Sequence, residues 1–222
     1  MVFSSITFVY AFFPLVAVAY YLSKNRVYRN VVLLLASLLF YSWGEPRFLL
    51  LMLAATLAAY CGGLLMERST AHKRLILIVT VVLLVGNLFV FKYLNFFSEN
   101  LSALFGWRAL PKLTLPIGIS FYTFQILSYR GEIRVQRNYF YLLLYVSFFP
   151  QLIAGPIVRY ETVEQEILER RESIDDVAAG LRRFILGLAK KVILANNIAR
   201  IAETIYAGDS AVYGTALYWL AA

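Results

Sequence analysis

Three stretches of this chain, residues 2–22, 48–66 and 75–97, stay apolar over roughly the 20 residues a helix needs to cross the hydrocarbon core of a bilayer. Hydrocarbon offers no partner for backbone N–H and C=O groups, so such a segment must be helical or part of a closed barrel. The windows are continuous rather than alternating, which selects helices. Further apolar windows cover 31–43, 115–129 and 139–158. With 61% hydrophobic and 15% charged residues, and a mean hydropathy of +0.69, the chain has too little polar surface for a soluble domain of its size. The fold class is all-α, a polytopic transmembrane helical protein. No internal repeat or linker divides it, so residues 1–222 read as part of one membrane domain.

The cations lie between the windows. Lys24, Arg26 and Arg29 follow the first window, Arg68, Lys73 and Arg74 the third, and Arg130, Arg134 and Arg137 the fifth; the loops between carry fewer. Basic loops stay cytoplasmic, which places the N-terminus outside and the 67–74 loop inside. The same pattern assigns the net charge of +8 to membrane topology and anionic lipid, not nucleic acid. No Lys or Arg precedes the first window, so it lacks the basic start of a cleaved signal peptide and is expected to remain as a span. Alternation fails after residue 158, where Arg159, Arg170 and Arg171 begin another basic run. Pro150 and the Gly155-Pro156 pair interrupt the preceding window, so 139–158 is expected to be broken or re-entrant, returning to the cytoplasmic side.

Residues 159–172 are too charged to enter the bilayer. Ser173, followed three residues later by Asp176, is a capping pattern that opens a helix. Val177, Leu181, Phe184, Ile185, Leu188 and Val192 then share one helical face, opposite Arg182, Arg183 and Lys190. This is a basic amphipathic helix suited to the membrane interface. The apolar window at 212–222 is too short to span.

The ionisable inventory excludes several chemistries. His72, the one histidine, sits in the basic loop ERSTAHKR, and Cys61, the one cysteine, in an apolar window. With no carboxylate inside a window, no metal site and no ion-coupling path can be built from these residues. Lys92 is a cation inside a long window, placed to snorkel toward an interface. What remains is neutral polar groups: Ser120, Tyr122, Thr123 and Gln125 within LPIGISFYTFQILSY, and Gln151 with Arg159 in FFPQLIAGPIVRY. They can bond helix to helix, at roughly 0.6 kcal/mol each, or wall a polar tunnel. Two broken polar segments in one small chain favour a cavity.

These motifs, with RGEI, GLRRFILGLAKKVILANN, NVVLLLASLLFYSWGEPRFLLL and the opening MVFSSITFVYAFFPLV, resemble the membrane-bound O-acyltransferase family, in the branch that acetylates exported polysaccharides such as alginate. The resemblance implies tilted helices around a thinned centre with a funnel from each side. Ser120, Tyr122, Thr123, Gln125, Gln151 and Arg159 would be the candidate funnel-lining residues. It also implies an acyl donor, acetyl-CoA among the candidates, as substrate rather than bound cofactor, and as partners membrane lipid, periplasmic or secreted acetylation proteins and, indirectly, the polysaccharide. Arg182, Arg183 and Lys190 would contact either anionic lipid or the donor's phosphates.

Two departures accompany the resemblance. The family's essential histidine lies in a Trp-His motif of the C-terminal half; His72 does not match it, so no catalytic residue is assigned and the chain is expected to be an inactive N-terminal portion. Relatives also carry a few more residues between Ser128-Tyr129 and Arg130-Gly131-Glu132. Without them the fifth window, taken as a helix from Leu115 to Tyr129, measures about 22 Å against a core of about 30 Å. The alternatives from other classes are a non-enzymatic transporter and a membrane scaffold for acetylation partners.

Overall fold

The computed structural model describes residues 3–69, 71–106, 110–129, 136–152, 155, 158–208 and 214–221, and among them every regular element is a helix. They form two compact units, one from Phe13 to Arg170 and one from the residues up to Phe12 together with those from Arg171 onward.

Three helices of the first unit are long and apolar enough to cross a membrane: α2 (Arg26–Gly44), α3 (Pro46–Arg68) and α4 (Lys73–Phe105). Asn25 caps α2, its Oδ1 accepting from the backbone N–H of Val27 at 2.8 Å and Tyr28 at 3.4 Å. Pro46 opens α3, where its missing N–H costs nothing. The left-handed Gly106 (φ 67°) closes α4.

The expected span over 2–22 is shorter than the sequence suggests. The helix runs from Phe8 to Tyr21, π-helical over Phe8–Phe12 and then α1 (Phe13–Tyr21). That is about 21 Å. Ser5 stops it from inside the window, its Oγ accepting from the Phe8 N–H at 3.2 Å.

The fifth window also contracts. α5 covers Ile119–Tyr129, 11 residues rather than 15. Pro116 and the left-handed Gly118 (φ 77°) turn the chain before Ile119. The next window is broken, as its prolines indicate. α6 (Tyr139–Ser147) ends at Phe148 and the single turn α7 (Phe149–Leu152) follows, with Pro150 inside that turn. Pro156 and the 130–135 stretch, including the Arg130 junction, lie outside the described residues.

All six side chains from Leu142 to Ser147 on α6 are buried, so this helix is wrapped by protein. Its neighbours are α2, α3, α5 and α8 (Tyr160–Glu169). On α3 the small residues Ala55, Ala59 and Gly63 recur every fourth position and are buried, which lets neighbouring backbones approach closely. Met52, Leu84, Ile119, Tyr122, Ile126, Leu142, Tyr145, Leu152 and Tyr160 belong to one continuous core.

The charged 159–172 segment holds a helix that packs. Tyr160 and Ile167 are buried on one face of α8. Its end is clasped to the α1–α2 turn: Arg170 donates from Nη1 to Asn30 Oδ1 at 2.6 Å and from Nε to Tyr20 Oη at 2.8 Å. The buried Asn30 donates in turn to the Ile167 carbonyl at 3.1 Å.

In the second unit, Ser173 and Asp176 form the expected capping box at the start of α9 (Ile174–Ala189). A π-helical stretch, Lys190–Ala195, leads into α10 (Asn196–Ala207), which packs on α11 (Thr215–Ala221). Arg182, Arg183 and Lys190 are exposed, and so are Val177, Leu181, Ile185 and Val192; Phe184 and Leu188 are half-buried.

Candidate functional site: a buried polar seam at the helix break

The break after α6 frees backbone groups that buried protein must satisfy. Ser37 on α2 serves one side: its Oγ donates to the Leu33 carbonyl at 2.7 Å and accepts from the Phe149 N–H at 3.2 Å. Tyr145 on α6 serves the other, donating from Oη to the Val158 carbonyl at 2.9 Å. Side chains on packed helices therefore hold the irregular backbone, the condition for its survival at membrane depth.

Tyr145 also joins the seam to α5. Its Oη lies 3.1 Å from Ser128 Oγ, which lies 2.8 Å from the Gln125 carbonyl, so the Ser128 hydroxyl donates to one of these two oxygens. Gln125, itself buried, reaches Gln151 across the break, Nε2 to Oε1 at 3.5 Å. The Tyr145 ring meets Tyr160 edge-on at 5.1 Å. Tyr160 Oη accepts from Gln136 Nε2 at 2.7 Å, and the same amide donates to Glu164 Oε1 at 3.1 Å. One carboxylate thus ends a line of neutral groups.

Five polar atoms in the core have no partner among the described residues: Tyr41 Oη, Tyr122 Oη, Thr123 Oγ1, Gln125 Oε1 and Ser147 Oγ. Their residues are all under 5% exposed. A buried polar atom left unbonded costs about 1–3 kcal/mol. Groups of this kind are retained where polar matter reaches them. Their carriers, α2, α5 and α6, all belong to the one core cluster.

Of the residues singled out from sequence, Gln125 and Gln151 are brought together, and Tyr122 and Thr123 are buried beside them on α5. Ser120 is half-buried, whereas Arg159 is exposed and stands at the start of α8, apart from these bonds. Tyr41, Tyr145, Ser147 and Tyr160 were not singled out. Tyr145 and Ser147 were findable, since a tyrosine and a serine directly before a helix break are the nearest hydroxyls to its freed backbone. Tyr41 and Tyr160 carried no such sign.

Outside the spans, two exposed ion pairs stand among the described residues. Lys112 binds Glu99 at 2.9 Å and Arg137 binds Glu67 at 2.8 Å. Hydrogen bonding and attraction to the paired carboxylate raise the proton affinity of each cation. His72 is exposed at the start of α4, its backbone N–H donating to Ser69 Oγ at 3.2 Å.

No protein-family profile and no solved structure matches the chain. Curated relatives do. A protein of Pseudomonas aeruginosa named "Probable alginate O-acetylase AlgI" is 39% identical across the whole chain, which covers 45% of that protein's length. The Azotobacter vinelandii protein of the same name is also 39% identical, with 46% of its length covered. A "Peptidoglycan O-acetyltransferase" of Helicobacter pylori is 31% identical over 91% of the chain and 46% of its own length. The chain thus spans about half the length of the relatives it matches, in their N-terminal part. The first alignment runs over 237 positions for 222 residues, so about 15 positions of that relative lie opposite gaps here.

Proposed function

We propose, for a chain that belongs to the membrane-bound O-acyltransferase family, that it forms the N-terminal half of an enzyme moving acetyl groups onto an exported polysaccharide, alginate being the first candidate. The observation that carries this reading is the set of buried hydroxyls and the Gln125 amide oxygen that have no partner among the described residues, in a chain 39% identical throughout to a protein named probable alginate O-acetylase. The reaction is attack by a sugar hydroxyl on an acyl donor, with a general base taking the hydroxyl proton as the new ester bond forms and the donor's thiol or alcohol leaves. Tyr122, Thr123, Gln125 and Ser147 supply neutral donors and acceptors that can orient an acyl group without ionising. None of them is a base. His72, exposed in the 67–74 loop, is not placed to be one, so the base comes from elsewhere in the enzyme.

The same reading sets the protein across the inner membrane several times, with its N-terminus in the periplasm. An acetyl-CoA-type donor arrives from the cytoplasmic side, and secreted acetylation proteins receive the group outside. Arg182 and Arg183 on α9 and Lys190 just after it are exposed, where each cation near an anionic lipid surface contributes about 1 kcal/mol. Lipid anchoring therefore suffices to explain them, and donor phosphates are the second candidate.

The test is a graft. This chain replaces the matching N-terminal part of the Pseudomonas aeruginosa relative, with and without five added residues, one an aspartate, between Tyr129 and Arg130. Alginate acetylation and membrane-inserted protein level are measured for both. Acetylation by either graft supports the reading, and acetylation only with the insertion marks the junction as a lesion. Normal insertion with no acetylation by either graft rejects it.

A further inference from the structure

The longest helix is also too long for the membrane it crosses. α4 has 33 residues, about 50 Å, against a hydrocarbon core of about 30 Å. Lys73 stands at its start and Lys92 nineteen residues on, about 28 Å along the axis, so an upright helix would reach the far edge of the core near Lys92. Lys92 is exposed, with its Nζ 5.5 Å from the Tyr93 ring centroid. In an upright helix, residues from Tyr93 to Phe105 would therefore continue beyond the second boundary.

The two faces of this extension differ in kind. One continues the packed face of the span, which carries Thr80, Leu84, Leu88 and Phe91 against the bundle. Here Asn95 exchanges two hydrogen bonds with the Leu113 backbone, at 2.7 and 2.9 Å. Ser98 Oγ accepts from the Leu110 N–H at 2.8 Å, and Glu99 pairs with Lys112 at 2.9 Å. Residues 110–113 are thus strapped along that side. The opposite face carries Phe89, Tyr93, Phe97, Leu101 and Leu104, spaced four, four, four and three residues apart. All five are exposed, Leu104 at 76%, and none is charged. Asn100 stands on this face too, its Nδ2 turned back to donate to the Phe96 carbonyl at 2.7 Å; around it the stripe continues the exposed apolar face of the span.

From this asymmetry we infer that α4 leans, so that Phe97, Leu101 and Leu104 enter the boundary between headgroups and acyl chains while the 110–113 strap faces water. The occupant of the stripe is lipid. An upright helix would hold Leu101 and Leu104 in water beyond the headgroups. At a tilt of about 40°, the upper end of the range for membrane helices, 50 Å of helix spans about 38 Å, within the roughly 40–45 Å of core and headgroup region together. The polar strap is then the upper surface of an interfacial amphipathic helix and the aromatic stripe its lower one. The inference rests on α4 crossing the bilayer, as the proposed function requires.

Nitroxide labels test it, in the full chain with Cys61→Ser, reconstituted in phosphatidylethanolamine–phosphatidylglycerol nanodiscs. Single cysteines replace Val82, Phe97, Leu101, Leu104 and, in the strap, Pro111. Each label's collisions with oxygen, which concentrates in lipid, are compared with those of a water-soluble nickel chelate. The expected result is oxygen-dominated collision at Phe97, Leu101 and Leu104, approaching that of Val82 in mid-span, with the nickel chelate dominant at Pro111. Leu101 and Leu104 as open to nickel as Pro111 would overturn the lean. Labels there shielded from both reagents would overturn it too, because protein then covers the stripe. A water-exposed Val82 would remove the span itself, a separate failure.

Discussion

A methyl group added to Gly118 would lie 3.0 Å from the carbonyl oxygen of Leu152, at a residue whose φ is 77°. The turn that starts α5 is therefore pressed against the end of the broken α6–α7 segment, with only a hydrogen between them. Both the close approach and the left-handed backbone require glycine. Gly118→Ala is expected to lower stability by about 1–2 kcal/mol. Thermal unfolding in detergent checks it, and an unchanged midpoint would show that the turn relaxes freely.

Arg170 ties α8 to the first turn of the bundle through Asn30 and Tyr20, and its guanidinium lies 5.4 Å from the Tyr20 ring centroid. Lysine cannot keep both directed bonds and the ring contact. Arg170→Lys is expected to cost about 2 kcal/mol, nearly as much as Arg170→Ala. Proteolysis rates at the 160–170 segment read the result; full protection in the lysine variant would contradict the clasp.

Tyr122 and Ser147 carry buried hydroxyls with no partner among the described residues. Removing such a group leaves nothing unpaired. Tyr122→Phe and Ser147→Ala are expected to hold stability level or raise it by up to about 1 kcal/mol. In an acetylation-competent graft the same variants should lose activity at least about tenfold, the cost of one hydrogen bond to the reacting group. Loss of stability instead would make the hydroxyls structural.

Residues 1–222 alone, purified, are expected to transfer no acetyl group to polymannuronate. The single histidine is exposed at the start of α4, outside the seam. Turnover that survives His72→Ala would show that some other group of this chain acts as base.

The proposed topology predicts that a cysteine at Ser69, in the Cys61→Ser background, reacts with an impermeant maleimide only after cells are opened. Reaction in intact cells would invert every helix.

Several features were readable because a local chemical rule governs them. Asp176 three residues after Ser173 marks a helix start wherever it occurs, and Pro150 marks a break. The span of α4 follows from apolar length, although its end at Phe105 rather than Phe97 does not. That end is set by a glycine and by a strap held through Asn95 and Ser98, which are contacts at a distance. α8 was hidden for a similar reason. Its charges dominate the 159–172 stretch, while the two residues that dock it, Tyr160 and Ile167, are seven apart and unremarkable by themselves. The first window misled because its hydropathy continues through Ser4 and Ser5, whereas the backbone cap does not. The seam's connections, Tyr145 to Val158 and Gln125 to Gln151, join residues 13 and 26 apart, and no periodicity encodes them.

The wrapped, interrupted α6–α7 segment has a consequence for how the protein is made. Nine helical residues cannot cross a bilayer, and the freed carbonyls and N–H groups beyond them would be left bare in lipid. The translocon therefore cannot release this segment sideways as an independent span. It has to wait until α2 supplies Ser37 and α5 supplies Ser128, both already synthesised when α6 emerges. The order of elements along the chain lets the break be received by a finished cradle. Moving this segment ahead of α2, by circular permutation, would present the same residues to the membrane with nothing to receive them.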